Sequence, residues 1–301
     1  TVPLGITIID DSMTEPSETI QIALTGGTGY TVSSTSGCGG TPITSSTYTI
    51  TDNDSPVVLA KTWANGIAGD AVDLAIAGGL VPVAGSSTVG GGTTNATSVA
   101  IAGSTLTLTE SFTSGNAANY NSSLECRRNS DNAIVATAGT GLSRTVTMPS
   151  GTALTCTWTN SRKSATLVVR KSWANALVAD AVTVATSGFV NNASLLSVAN
   201  SANETDTNAA VTVYAAETAT LAETYSVGSG GNYSQALACT GNAAALAGNQ
   251  LTVSPADTAI VCTFTNSRIA QQIRLAKLWS GATTGHTASA TATGGTANPT
   301  F

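Results

Sequence analysis

The stretch that decides the fold is C-T-W-T-N-S-R-K-S-A-T-L-V-V-R-K-S-W, from Cys156 to Trp173. It closes one repeat and opens the next. The closing half returns as C-T-F-T-N-S-R from Cys262 to Arg268, and the opening half as V-V-L-A-K-T-W ending at Trp63 and I-R-L-A-K-L-W ending at Trp279. Two full copies follow, at 57–164 and 165–271, with a third beginning at 272 and cut off at 301. The landmarks keep their intervals in both copies. Asp70 and Asp180 lie seven residues after Trp63 and Trp173, and Glu110 and Glu223 lie ten before Tyr120 and Tyr233. Cys126 and Cys239 lie six after those tyrosines, and Asn160 and Asn266 four after Cys156 and Cys262. Gly, Asn and Ser concentrate in the variable intervals, as in loops.

In a strand, residues two apart share a face. Val57, Leu59, Lys61 and Trp63 therefore align, as do Leu167, Val169, Lys171 and Trp173, and Ile273, Leu275, Lys277 and Trp279. Leu154, Cys156, Trp158 and Asn160 share a face, and so do Ile260, Cys262, Phe264 and Asn266. Glu110 follows Leu106 and Leu108, and Glu223 follows Leu221. Each full repeat thus points a lysine, a glutamate and an asparagine at its own core. The chain has four lysines, and three occupy this inward position. A buried unpaired charge is very costly, so something must neutralise the lysine. One answer is a buried Lys–Glu ion pair with Asn as hydrogen-bond partner; the other is covalent.

Composition agrees with an all-β chain. The 301 residues are 9% charged and 5% aromatic, and short Thr/Val/Ile runs are broken by Gly and Asn. A net charge of -6 excludes nucleic acid and an anionic membrane surface as partners, and no run is apolar enough to span a bilayer. The single histidine, His286, stands where Asp70 and Asp180 stand in the full copies, and reads as an exposed loop residue. It leaves no Ser-His-Asp or Cys-His set, so the chain is not expected to be an enzyme. No signal peptide is visible at residue 1, and the chain reads as a window of a longer one. The five cysteines form no C-x-x-C pattern; matched pairs in each repeat read as disulfides, which place the protein outside the cytoplasm.

Lys in a first strand, Glu in a middle strand and Asn in a last strand, with K-x-W at the start and T-N at the end, resembles the Cna-B or SpaA-type repeat of bacterial surface proteins. The resemblance implies a prealbumin-like, immunoglobulin-like β-sandwich, here as tandem domains in an extended array. It also implies intramolecular isopeptide bonds, Lys61–Asn160 helped by Glu110 and Lys171–Asn266 helped by Glu223. Burial favours the neutral, nucleophilic lysine that such a reaction needs. The paired cysteines depart from that pattern; in-repeat pairs Cys126–Cys156 and Cys239–Cys262 are the simplest connectivity, and Cys38 is left over.

Residues 1–56 are different: six of the seventeen acidic residues fall there, with no Lys or Arg. Asp10-Asp11, Glu15, Glu18 and Asp52-Asn-Asp54 resemble the C-terminal half of a Calx-β domain, which implies Ca2+ held by Asp10, Asp11, Glu15, Glu18, Asp52 and Asp54. The alternative is a solvated acidic turn. The function expected is structural: a segment of a secreted or cell-surface bacterial adhesin, stalk or fibre, whose partners are neighbouring repeats or other copies of itself. Chains would continue covalently or exchange strands at their ends. The alternative is a ligand-binding module for a glycan or a host protein.

Overall fold

The structure, a computed structural model, describes residues 4–9, 11, 13–29, 32 and 44–293. Asp10 and Cys38 lie outside the described residues. The chain divides into two compact units, one built around each full repeat. Among the described residues there is no α-helix.

Ahead of the repeats, β1 (Glu18–Ala23) and β2 (Ser45–Ile50) form an antiparallel hairpin, Glu18 opposite Ile50 and Ala23 opposite Ser45. Ile20 and Ile22 are half-buried between exposed Thr19, Gln21 and Ala23, the expected period of two; Leu24 lies past the strand end and is exposed.

The first repeat has eleven strands: β3 (Asp54–Ala64), β4 (Ala71–Ala77), β5 (Val83–Thr88), β6 (Thr93–Thr94), β7 (Ala96–Ile101), β8 (Thr105–Ser114), β9 (Tyr120–Arg128), β10 (Ile134–Val135), β11 (Thr137–Ala138), β12 (Ser143–Thr147) and β13 (Leu154–Arg162). They make one sheet in the order β10-β9-β13-β3-β7 and another in the order β11-β12-β8-β4-β5-β6. β3 starts ahead of the boundary expected at residue 57, because Asp54 to Pro56 pair with Ile101 to Val99 of β7. Val57, Leu59, Leu154, Cys156 and Trp158 of one sheet meet Val72, Leu74, Ile76, Leu106 and Leu108 of the other in one core. In β13, L-T-C-T-W-T-N, the Thr residues take the outer face, where β-branched side chains suit a pleated surface. The first and last strands are parallel neighbours, with Val57 opposite Leu154, Lys61 opposite Trp158 and Trp63 opposite Asn160.

The second repeat has nine strands: β14 (Ser164–Ala174), β15 (Ala181–Ser187), β16 (Ser194–Val198), β17 (Glu204–Thr207), β18 (Val211–Tyr214), β19 (Thr218–Val227), β20 (Tyr233–Thr240), β21 (Gln250–Thr252) and β22 (Ala259–Arg268). One sheet runs β17-β14-β22-β20, with β18 also on β14; the other runs β16-β15-β19-β21. Again the first and last strands are parallel, Lys171 opposite Phe264 and Trp173 opposite Asn266. In both copies the chain leaves the first strand through an asparagine with positive φ, Asn65 and Asn175 at 54° each, a conformation that Asn tolerates better than most residues.

Among the differences between the copies is the edge beside the disulfide strand. β9 carries β10 on its outer side and three charged residues, Glu125, Arg127 and Arg128. Its counterpart β20 is outermost among the described strands, and its sequence, Y-S-Q-A-L-A-C-T, carries no charge. The third opening segment, Ile273 to Trp279, forms no strand, and Lys277 is exposed. β3 and β14 are held by the last strand of their own repeats, and among the described residues no strand stands beside the third opening segment.

Candidate functional site: a buried lysine, glutamate and asparagine in each repeat

The structure brings together all three residues that period-two reading aimed inward. In the first repeat Lys61 comes from β3, Asn160 from the adjacent β13, and Glu110 from β8 in the facing sheet. The Lys61 and Glu110 side chains are both 0% exposed, with Nζ 3.2 Å from Oε1. Asn160 Nδ2 donates to the same Oε1. Lys61 Nζ also stands 4.3 Å from the centre of the Trp63 ring. The second repeat repeats the arrangement. Lys171 Nζ is 2.8 Å from Glu223 Oε1, Asn266 Nδ2 donates to that oxygen at 2.8 Å, and Lys171 stands 4.4 Å over Trp173. Glu223 is slightly open, its side chain 6% exposed. Both asparagine carbonyl oxygens are buried with no hydrogen-bond donor among the described residues.

Burial pushes both lysines towards the neutral amine. Desolvation lowers Lys61 from 10.5 to about 8, even though the Glu110 charge and hydrogen bond pull the other way. Lys171 is lowered for the same reason, against the hydrogen bond and charge of Glu223. This has a measurable consequence in a chain that cannot crosslink, Asn160→Ala with Asn266→Ala. Between the folded and unfolded lysine values the unfolded chain binds more protons, so stability rises with pH. Urea unfolding is expected to show stability climbing from about pH 8 to about pH 10. Above that, Tyr120 and Tyr225 reverse the trend, because they hold their protons to about 12 when folded but only to 10.0 when unfolded. A flat profile between pH 8 and pH 10 contradicts a lysine displaced towards neutrality.

A second buried constellation braces the first, and sequence reading marked its members without joining them. Tyr120 hydroxyl donates to Asp70 Oδ2 at 2.6 Å and accepts from Ile67 N–H at 2.9 Å; Tyr233 does the same with Asp180 at 2.5 Å and Leu177 at 3.1 Å. These bonds tie the loop after the first strand to β9 and to β20. Gly115 and Gly228, at φ of +86° and +85°, pass so close to those aspartate carboxylates that a Cβ would collide with them. Trp63 Nε1 donates to Ser87 Oγ at 3.1 Å and Trp173 Nε1 to Ser197 Oγ at 2.8 Å. The equal Trp-to-Ser spacing in the two copies was the available signal. His286 is exposed, 3.0 Å from Thr283 Oγ1.

The cysteines pair as the simplest connectivity has it. Cys126–Cys156 joins directly opposed residues of β9 and β13, and Cys239–Cys262 directly opposed residues of β20 and β22. They span 30 and 23 residues, each worth about 3–4 kcal/mol by the chain-entropy model. In the acidic segment, Asp52 accepts from Glu15 N–H at 2.6 Å and from Asp54 N–H at 2.9 Å, and Asp11 from Met13 N–H at 2.8 Å. Glu18 opens β1 and is exposed, and Asp54 opens β3 and is buried. Among the described residues no three acidic, His or Cys side chains converge as a metal site.

Comparison with known proteins supports the SpaA-type repeat; the matched stretches take in both T-N landmarks and begin after the K-x-W landmarks. The SpaA_3 prealbumin-like fold domain matches twice, at 67–162 and 178–268. No curated protein matches the chain. Among solved structures, the C-terminal fragment of the pilus adhesin SpaC from Lactobacillus rhamnosus GG is similar at 14% identity, covering 73% of this chain and 100% of its own, with a TM-score of 0.37. The major pilin T-13 from Streptococcus pyogenes is similar at 9% identity, covering 73% of this chain and 98% of its own, with a TM-score of 0.35. The Bacillus anthracis TIE protein is similar at 8% identity, covering 75% of this chain and 37% of its own, with a TM-score of 0.36. With two domain matches spanning more than half of its length, the chain belongs to the SpaA_3 family of prealbumin-like fold domains.

Proposed function

We propose that the chain is a load-bearing segment of a secreted or cell-surface bacterial stalk, adhesin or fibre, in which each repeat is closed by a Lys–Asn isopeptide bond. The observation that carries the reading is the pair of matching buried sites, each with a lysine pushed towards its neutral form beside a carboxylate and an asparagine amide. The reaction balances within the site. Neutral Lys61 Nζ adds to Asn160 Cγ, the Nζ–Cγ bond forms, the Cγ–Nδ2 bond breaks, and the nitrogen leaves as ammonia. Its third hydrogen is one that the amine brought, and Glu110, touching both nitrogens, carries it across. Lys171, Glu223 and Asn266 do the same in the second repeat. Each site turns over once, so this is self-crosslinking and not enzyme activity on a substrate.

Two disulfides support an oxidising, extracellular location. Tandem repeats of one domain, each closed internally, suit a part whose task is to span distance, with neighbouring repeats or further copies as its partners. The glycan or host-protein reading finds less: on the outer face of repeat 1, in a shallow depression, Arg127 and Arg128 are already paired with Glu125 and Asp131. The test is the mass of the chain, unfolded and fully reduced. It is expected to fall two molecules of ammonia short of the sequence mass, with crosslinked peptides joining Lys61 to Asn160 and Lys171 to Asn266. A full sequence mass leaves the ion pair as the correct reading.

A further inference from the structure

The two sites differ at a position that touches a reacting atom. Two residues beyond each glutamate, on the same strand face, stands an aromatic ring: Phe112 in β8 and Tyr225 in β19. The rings occupy equivalent places, edge-on to the tryptophan of the K-x-W landmark, Phe112 5.9 Å from Trp63 and Tyr225 6.5 Å from Trp173. At this position the change between copies is the hydroxyl; beside it, Trp158 gives way to Phe264 and Ser122 to Gln235. Asn266 Nδ2 donates to the Tyr225 hydroxyl as well as to Glu223 Oε1, whereas Asn160 Nδ2 donates to Glu110 and the corresponding Phe112 carries no acceptor.

We propose that Tyr225 holds the leaving group of the second crosslink: its hydroxyl fixes Asn266 Nδ2 beside Glu223, so that ammonia departs faster from repeat 2 than from repeat 1. This rests on the crosslinking reading above. Nδ2 is the nitrogen that must receive a proton from Glu223 as its bond to Cγ breaks. An amide held at two points keeps that nitrogen on the glutamate and its Cγ open to Lys171, which is the positioning contribution to a rate. Desolvation and the Glu223 charge push the Tyr225 hydroxyl up to about 12, against hydrogen bonds from Gln235 and Asn266. It stays protonated and acts as a fixed dipole, leaving the proton transfer to Glu223. The atom balance is that of the crosslink itself: Nζ–Cγ forms, Cγ–Nδ2 breaks, and the third hydrogen of ammonia comes from Lys171. A groove of about 360 Å³ has Glu223, Gln235, Leu237 and Phe264 among its walls.

The full chain, made by cell-free synthesis and quenched at intervals, gives both rates at once, because each crosslinked peptide has its own mass and repeat 1 is an internal clock. Tyr225→Phe is expected to slow the Lys171–Asn266 bond by about tenfold relative to Lys61–Asn160, the effect of one hydrogen bond to a reacting group. The groove is untouched by this change, and Phe112 shows that phenylalanine fits the position. Phe112→Tyr is the reciprocal variant, expected to speed the Lys61–Asn160 bond, a gain that a merely structural role would not produce. It decides the matter if Tyr225→Phe fails to fold: an unchanged rate in repeat 1 then overturns the proposal. Wild-type kinetics in a folded Tyr225→Phe chain overturn the role of Tyr225 and leave the crosslink standing. Absence of the Lys171–Asn266 peptide from the folded wild-type chain overturns both.

Discussion

Pulled between Asp54 and Arg162 in a force spectrometer, repeat 1 is expected to lengthen by almost nothing. On the proposed crosslink, force entering along β3 would reach Lys61, cross to Asn160 and leave through the last two residues of β13. Everything between Lys61 and Asn160, roughly 100 residues, carries no tension. Asn160→Ala removes the crossing and leaves the Lys61–Glu110 pair in place. The sandwich then opens until the Cys126–Cys156 bond stops it, which withholds a loop of 30 residues. The released chain, about 70 residues at about 3.3–3.6 Å each, adds roughly 230 Å. Reducing the disulfide adds about 100 Å more. A wild-type repeat that already yields the longer extension carries no crosslink, and mechanical resistance then rests on the disulfide.

Chemical denaturation gives the second large effect. Closing a loop of about 100 residues lowers the entropy of the unfolded chain by the equivalent of about 4.7 kcal/mol, on the same argument as for a disulfide. Asn160→Ala is expected to lose about that amount. Glu110→Gln blocks the reaction too, and also leaves Lys61 buried without its counter-charge, for which about 3–5 kcal/mol is the usual cost of removing one partner of a buried pair. The glutamate variant should therefore be the less stable of the two, and both should regain the mass of the lost ammonia. Two variants as stable as the parent, with unchanged mass, remove the crosslink from the account.

How much of this was legible in the sequence follows from the kind of interaction. Lys61, Glu110 and Asn160 were legible because each shares a strand face with the apolar residues two and four positions before it, and alternation in a strand fixes the face. The cysteines were legible for the same reason, with their register set by β9 and β13 lying side by side. The Tyr120–Asp70 bond was not, since it joins a loop to a strand start 50 residues later and no periodicity links the two. Tyr225 escaped notice because it and Phe112 are both large and aromatic, and their difference matters only once Asn266 is known to stand beside the ring. The short strands β10 and β11 are set by pairing with neighbours and have too few residues to show a period. The bare edge of β20 became visible only when β9 could be laid beside it.

The parallel pairing of first and last strands also sets a clock on biogenesis. β3 can pair with β7 early, but it cannot find its parallel neighbour until β13 exists, and Val57 meets Leu154 only after nearly the whole repeat has been made. At about 5–20 residues per second, the hundred or so residues of a repeat take roughly 5–20 s to synthesise. Under the proposed crosslinking, Lys61 is present during that interval and Glu110 follows it, while the Asn160 amide is still missing. The order lysine, glutamate, asparagine delivers the electrophile last. If the proposed crosslink forms, a half-made repeat lacks its electrophile, and the bond closes only when the final strand docks.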